Sequence, residues 1–487
     1  MHFRTSRTVA CLTLIAGANC LSTPRSVPSQ HGLKGKRSIE VRDGVTHTVF
    51  EHQATGAKID YVTNSGVCET TPGVNQYSGY LSVGTNMSMF FWFFESRNSP
   101  ATAPLALWLN GGPGCSSMIG LFTENGPCTF NNVEGNTPVL NPHSWNEYAN
   151  MLYVDQPIGT GFSFGSETVN TTFASAPPVW TFLQAFFTNF PQYESRDFGI
   201  FTESYGGHFG PRISEYIQSQ NADIASGKIQ GQMINLVALG INNGYYDYEI
   251  AETNFPRFST NNSYYPLISN SNALEYISEI ESQCLPGVST CSPFEDGHFD
   301  DCVAAFSPCV AIDNKFGQFF LSNYSTHDIR QPAPGNFPPA TYITYLQDPA
   351  IMKKIGVNVT YSECSSDVAN NIDNLDDGLR SYLPALSNVV QSGVTTVIWA
   401  GDADAVCDWF GGFAAANAIQ YQDQTAFNQK AVASYTVNGV KGGEFKSVGA
   451  LSWLRVYGAG HAAPAFQPEL ALQVFKQTMT KTALKST

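Results

Sequence analysis

The chain has 487 residues, enough for one large α/β domain with insertions or for about three average domains. With 25 Lys and Arg against 40 Asp and Glu, its formal charge is −15, which disfavours nucleic acid and anionic membranes, since both need a basic face. Apolar residues make up 43% and charged residues 13%, so a large core can form, disordered and fibrous classes are excluded, and the surface must rely on uncharged polar groups or sugar for solubility.

Arg4 and Arg7 precede an apolar stretch, Val9 to Ala18, that ends in the small-x-small signal Ala16-Gly17-Ala18. Residues 1–18 read as a secretory signal peptide. The apolar run is about ten residues, half of the roughly twenty that a membrane span needs, so no anchor is expected there. A short polar stretch rich in Pro and Ser follows and ends at Lys36-Arg37, so residues 19–37 read as a propeptide processed before Ser38. No later stretch is long and apolar enough to span, and the polar C-terminus carries no GPI signal. From about Thr46 to Phe94 the alternation and turn residues predict β-structure. Leu105 to Leu109 is short and wholly apolar, the pattern of a strand buried on both faces of a parallel sheet. Similar runs recur at Met151–Val154, Phe198–Phe201, Leu236–Leu239 and Val394–Trp399. Helical patterns at Pro177–Asn189 and Phe209–Gln220 lie between several of them. Strands alternating with helices predict an α/β sheet, with a core in two parts, 38–241 and 380–487. Residues 242–379 break this rhythm. They read as a loop-rich cap or insertion with four Cys and many Pro and Asn.

Of eleven Cys, Cys11 and Cys20 fall in the signal region, and the remaining odd number predicts four disulfides and one free thiol. No C-x-x-C pair occurs, which argues against structural zinc and thioredoxin chemistry. The symmetric spacing of Cys284, Cys291, Cys302 and Cys309 would let nested pairs, Cys284–Cys309 and Cys291–Cys302, staple one excursion of the chain, although spacing leaves other pairings open. Asn86, Asn170, Asn261, Asn323 and Asn358 head N-x-S/T sequons, candidate glycan sites in an exported chain.

The strand pattern at Phe198 runs into Thr202-Glu203-Ser204-Tyr205-Gly206-Gly207 and then a helical pattern. Strand, tight turn with Ser at its apex, and helix make a nucleophile elbow, with Ser204 as nucleophile. The helix N-terminus behind it favours developing negative charge. After the buried strand ending Trp108-Leu109 comes Asn110-Gly111-Gly112-Pro113-Gly114, a glycine-bearing loop suited to donate a backbone N–H to an oxyanion, with Tyr205 N–H as the second donor. His208 lies one helical turn after Ser204 and points away from it. His461 follows a strand-like run amid small residues, and Asp402 and Asp404 follow the strand VTTVIWAG at the edge where open α/β sheets place catalytic groups. The order Ser, Asp, His is that of α/β-hydrolases.

The stretches WLNGGPGCSS (Trp108–Ser117), LFTENGPC (Leu121–Cys128), YVDQPIGTGFSF (Tyr153–Phe164), TESYGGHFGP (Thr202–Pro211), AGDADAVCDW (Ala400–Trp409) and GAGHAAP (Gly458–Pro464) spread over some 350 residues in one order. In them the chain resembles the serine carboxypeptidases, peptidase family S10, most closely their fungal secreted, carboxypeptidase S1-like type. The resemblance implies an α/β-hydrolase fold with a mixed central sheet, helices on both faces and a disulfide-rich cap. It implies a triad of Ser204, Asp404 and His461, choosing Asp404 over Asp402 by its distance from Cys407. It implies oxyanion donors at Gly112 and Tyr205, a substrate-carboxylate set of Asn110, Gly111, Glu124 and Glu203, and a thiol near the site at Cys407. It pairs Cys115 with Cys364, which leaves Cys68 and Cys128 for each other. Thr202 stands where the family has Gly, and Gly206 where it has Ala.

The activity so implied is removal of single residues from peptide and protein C-termini through an acyl-enzyme on Ser204, favoured at acidic pH, with neither cofactor nor metal. Two close carboxyls suppress each other's ionisation, so Glu124 and Glu203 would share a proton in acid and lend it to the substrate carboxylate. A base working near pH 5 predicts a lowered pKa for His461. An esterase or acyltransferase on the same triad, and a silent binding glycoprotein, are the competing readings. A metallohydrolase lacks H-E-x-x-H. Secretion is expected, with vacuolar residence as the alternative, and a monomer or homodimer without membrane anchor or nucleic acid.

Overall fold

The computed structural model describes residues 35–52, 58–130, 137–289, 300–321, 324–373 and 377–487. The signal segment, nearly all of the propeptide, Asn323 and the expected Cys291–Cys302 bridge lie outside the described residues. Lys36 and Arg37 fall within strand Gly35–Arg42, which pairs antiparallel with Val45–His52.

One fourteen-stranded sheet organises the molecule. Its parallel centre runs Asn150–Val154, Leu105–Leu109, Phe198–Ser204, Leu236–Gly244, Thr395–Gly401 and Leu451–Val456. Antiparallel strands extend it on both sides, through Met87–Phe94 at one end and Val440–Val448 at the other. The apolar run at Leu105–Leu109 is wholly buried because both faces are covered. Leu105, Leu107 and Leu109 enter one core, with Phe182 and Phe186 of helix Thr172–Asn189 and Phe209 and Ile213 of helix Gly206–Ala225. Ala106 and Trp108 enter the other, with Phe122 and with Phe475 of helix Pro468–Met479. The alternation is the two-residue period of a strand.

Helix Thr172–Asn189 begins before the Pro177 expected as its start. Thr171 is its N-cap, with a side chain that accepts from Ala174 N at 3.1 Å, and Pro177 and Pro178 sit inside. Strand Leu236–Gly244 runs past the boundary expected at 241. The segment beyond it is rich in helix rather than loop: Tyr248–Asn261, Asn270–Glu279, Asp300–Leu321, Thr341–Leu346, Pro349–Lys354 and Ser366–Asp373. Several of these helices are too short to build a periodic pattern. Ser269 and Asp348 are N-caps of two of them. This segment has its own small core of Tyr276, Ile280, Ile312 and Phe316, tied by Cys284–Cys309. Cys68–Cys128 and Cys115–Cys364 are the other described bridges, and Cys407 is free and buried. Asn86, Asn170, Asn261 and Asn358 are exposed. Among the described residues no helix is long and apolar enough to cross a membrane.

Candidate active site

Strand Phe198–Ser204 ends in a residue with φ of +61°, and helix Gly206–Ala225 starts two residues later. A left-handed Ser costs about 1–3 kcal/mol of strain, tolerated where the surroundings over-determine the turn. They do so here by close backbone approach. A Cβ on Gly111 would lie 2.4 Å from Tyr205 N, and one on Gly207 would lie 2.3 Å from Tyr245 O. The helix start at Tyr205 has no side-chain cap, so its first N–H groups stay available at the elbow. The Gly112 N–H, in the facing loop, donates to no acceptor among the described residues.

Ser204 and His461 line one cavity of about 450 Å³, with Asn110, Gly111, Gly112 and Glu203. His461 Nδ1 lies 2.7 Å from Asp404 Oδ2. That oxygen also accepts from Asn243 Nδ2 at 2.8 Å and Cys407 N at 3.1 Å, while Oδ1 accepts from Val406 N at 3.0 Å. Asp402 sits apart from the histidine and fixes its loop, accepting from Gly458 N at 2.9 Å and from the Tyr264 hydroxyl at 2.6 Å. The Ser204 hydroxyl faces the Cys407 thiol and makes no hydrogen bond to His461 in this conformation. Burial, then Asp404 and Asp408, keep that thiol protonated. Asp404, Cys407 and His461 present ligand atoms within 4.8 Å of one another, but the carboxylate oxygen facing His461 is already occupied and the thiol is not a thiolate.

Glu203 belongs to the other wall, with the buried Glu124 beside it. Asn110 Oδ1 accepts from the Trp108 indole at 2.7 Å and Gly120 N at 3.0 Å, which turns its amide nitrogen toward Glu203 Oε1 at 3.2 Å. Asn242 Nδ2 bonds Glu203 Oε2 at 2.7 Å and His461 O at 2.8 Å, so one amide ties the acid to the histidine. Glu124 lies against Glu203 and Asn110, and burial pushes its carboxyl up to about 7. Burial and the Glu124 charge push Glu203 well above the usual carboxylate range. The pair therefore holds a proton throughout the acidic range.

His461 departs from expectation. Burial alone would lower its pKa, but the Asp404 carboxylate, and secondarily the Glu203 charge, hold it up to about 9. A buried anion in hydrogen-bond contact outweighs desolvation. Asn242, Asn243 and His327 had escaped the sequence reading. The two Asn stand at the carboxyl end of a parallel strand, the edge that could have singled them out. His327 packs edge-on against His461, with ring centroids 4.9 Å apart, and its backbone oxygen accepts from His461 N at 2.8 Å. No motif marks it. His208 is buried, turns away from the nucleophile and bonds Tyr245 O at 2.6 Å.

A sequence model of the serine carboxypeptidase family matches residues 66–481. Carboxypeptidase S1 of Penicillium janthinellum is 52% identical over 428 residues, covering 88% of this chain and all of that one. Carboxypeptidase S1 homolog A of Arthroderma otae is 34% identical, covering 87% of this chain and 76% of that one. The crystal structure of Kex1(delta)p, a prohormone-processing carboxypeptidase from Saccharomyces cerevisiae, superposes with a TM-score of 0.72 at 22% identity, over 85% of this chain and 93% of that one, and so shares the α/β-hydrolase fold. Fold, family model and relatives agree, and the chain belongs to the serine carboxypeptidases, hydrolases that release residues from the C-terminal end of peptides.

Proposed function

We propose that Ser204, Asp404 and His461 form the catalytic triad and that Asn110, Gly111, Glu124 and Glu203 grip the substrate's terminal carboxylate. The observation that carries the reading is one cavity lined by Ser204, an Asp404-bound His461 and the buried Glu203, whose carboxyl is held well above the usual range by burial and by its neighbour Glu124. Rotation of the Ser204 side chain would bring its hydroxyl from Cys407 to His461 Nε2. The hydroxyl oxygen then attacks the last peptide carbonyl as His461 takes its proton. Asp404 keeps the Nδ1–H tautomer and stabilises the imidazolium. The carbonyl oxygen becomes an anion between the N–H groups of Gly112 and Tyr205. His461 passes the proton to the departing amino group, and the C–N bond breaks. Water, deprotonated by the same imidazole, then hydrolyses the acyl-Ser204 ester.

The Asn110 amide and one Glu O–H donate to the substrate carboxylate, which sets the scissile bond one residue from the chain end. This acid grip favours acidic pH, because a bound carboxylate beside two ionised Glu would be repelled. Residues 19–37 are proposed as a propeptide and Cys407 as a protonated thiol beside the nucleophile. Secretion after removal of residues 1–18 is supported by the bridges and exposed sequons. A vacuolar address is the alternative, and a monomer or homodimer is the proposed state. The test is release of free amino acid from a peptide by the processed protein, with a fluorophosphonate adduct mapped by mass spectrometry. The adduct should sit on Ser204, and Ser204→Ala should lose at least about 10⁴-fold in kcat. An adduct on another residue, or turnover kept by the variant, contradicts the assignment.

A further inference from the structure

The N–H proposed as oxyanion donor at Tyr205 belongs to the peptide unit that joins it to Ser204. A trans peptide unit points its N–H and its C=O in opposite directions, so whatever holds one end aims the other. The C=O of this unit, Ser204 O, accepts from Tyr245 N at 2.9 Å. Tyr245 in turn donates its hydroxyl to Gly378 O at 3.0 Å. The Tyr205 hydroxyl donates to the residue before, Asp377 Oδ2, at 2.6 Å. One short turn, Asp377–Leu379, therefore holds both tyrosines that set the plane of the oxyanion peptide. It lies 172 positions along the chain from Tyr205.

Asp377 is fully buried, and each of its carboxyl oxygens accepts twice. Oδ2 takes the hydroxyls of Tyr205 and Thr172, each at 2.6 Å. Oδ1 takes Thr172 N at 3.1 Å and the Tyr382 hydroxyl at 3.0 Å. Thr172 opens helix Thr172–Asn189, whose Phe182 and Phe186 pack in the core under the sheet, so the acid is fixed to the body of the molecule. The Tyr205 ring is walled by His208, Phe209 and Tyr245, with centroids 4.5, 5.3 and 6.4 Å away. A ring so confined passes a pull on its hydroxyl to its backbone. We infer that Asp377 is a positioning residue for the reaction: by gripping the Tyr205 hydroxyl it aims the Tyr205 N–H at the developing oxyanion. The inference rests on the proposed nucleophile and oxyanion donors and adds a residue that no motif marks. It also bears on the strain at Ser204, whose φ of +61° would relax by turning the same peptide plane. Aim matters at an oxyanion donor, because a displacement of about 1 Å can cost about a hundredfold in rate.

The test compares Tyr205→Phe with Tyr382→Phe. Each removes one donor from the same carboxyl and keeps the ring, but only the first frees the oxyanion peptide. Tyr205→Phe should lower kcat on a peptide by about tenfold to a hundredfold with KM little changed. Tyr382→Phe should keep kcat within about twofold of wild type and act on the melting temperature alone. Asp377→Asn should match Tyr205→Phe in kcat and add little to it in the double variant. Wild-type kcat in Tyr205→Phe overturns the brace. So does an equal kcat loss in Tyr382→Phe, which would mark a disturbance of the whole cluster, or an Asp377→Asn loss that is undiminished beside Tyr205→Phe. The two tyrosine variants decide alone if Asp377→Asn fails to fold. Any of these results leaves the peptidase standing, whereas wild-type protein that releases no free amino acid from the peptide sinks the peptidase function itself.

Discussion

Glu203 joins the two halves of the site. Its carboxyl is part of the proton-holding pair, and its charge also helps hold His461 up to about 9. The two groups are therefore linked: when Glu203 is protonated, one of the anions that favour the imidazolium is gone, and His461 becomes easier to deprotonate. This link removes the smaller of the two influences that raise His461, while the larger, the Asp404 carboxylate, remains. Glu203→Gln removes the charge at every pH and keeps an amide donor. The acid limb of kcat, read from a pH–rate profile, should stay in place, because Glu203 already carries its proton there, and peptide binding at neutral pH should fall less than in Glu203→Ala. An acid limb that moves, or equal binding losses in the two variants, would refute the linkage. The residue types of the grip were legible in the motifs. The direction of the His461 shift was not, because it depends on a 2.7 Å contact between residues 57 positions apart.

The nucleophile elbow shows how an element absorbs departures from its family's pattern. Thr202 stands where Gly is expected and Gly206 where Ala is expected, and the two face each other: a Cβ on Gly206 would fall 2.5 Å from the Thr202 Cβ. Side-chain volume missing at one position is present at the other. The Thr202 hydroxyl donates to Gly206 O at 2.9 Å and closes the turn. Gly206→Ala alone should destabilise by about 1–3 kcal/mol through overpacking, and adding Thr202→Gly should restore most of it in denaturant unfolding. Additive losses would show that the positions are independent. From sequence the two departures look like separate doubts about the turn, since compensation between positions four apart appears only once the strand-to-helix path is fixed. Elements with a strong local signature were legible in the same way. Leu105–Leu109 announces a two-sided strand by its apolar run, whereas cap helices such as Thr341–Leu346 and Pro349–Lys354 are too short to show a period, so their residues read as loop. Asn242 and Asn243 belong to a readable strand, yet their work is done by side chains reaching other segments.

Across the molecule, buried acids without basic partners are a recurrent feature of this charge-poor chain. Burial pushes Asp155 up to about 6, Glu124 and Asp408 up to about 7, and Glu252 up to about 8. Each binds its proton more tightly folded than unfolded. Their stabilising contribution is fully present below the unfolded carboxylate range near pH 4 and is lost as pH rises through the folded values. His461, raised to about 9, acts in the same direction at higher pH. Thermal unfolding should therefore show a Tm that falls between about pH 5 and pH 8, and a Tm that rises across that window would contradict this distribution of protons. Fold stability and substrate grip then share one acidic preference, because both depend on protonated buried carboxyls. The most direct measurement is KM across pH for one peptide offered with a free and with an amidated C-terminus. The acid pair predicts that KM for the free peptide climbs steeply as pH rises through about 7, where Glu124 loses its proton, while KM for the amide changes little. Parallel curves for the two peptides would contradict a proton-lending grip on the chain end.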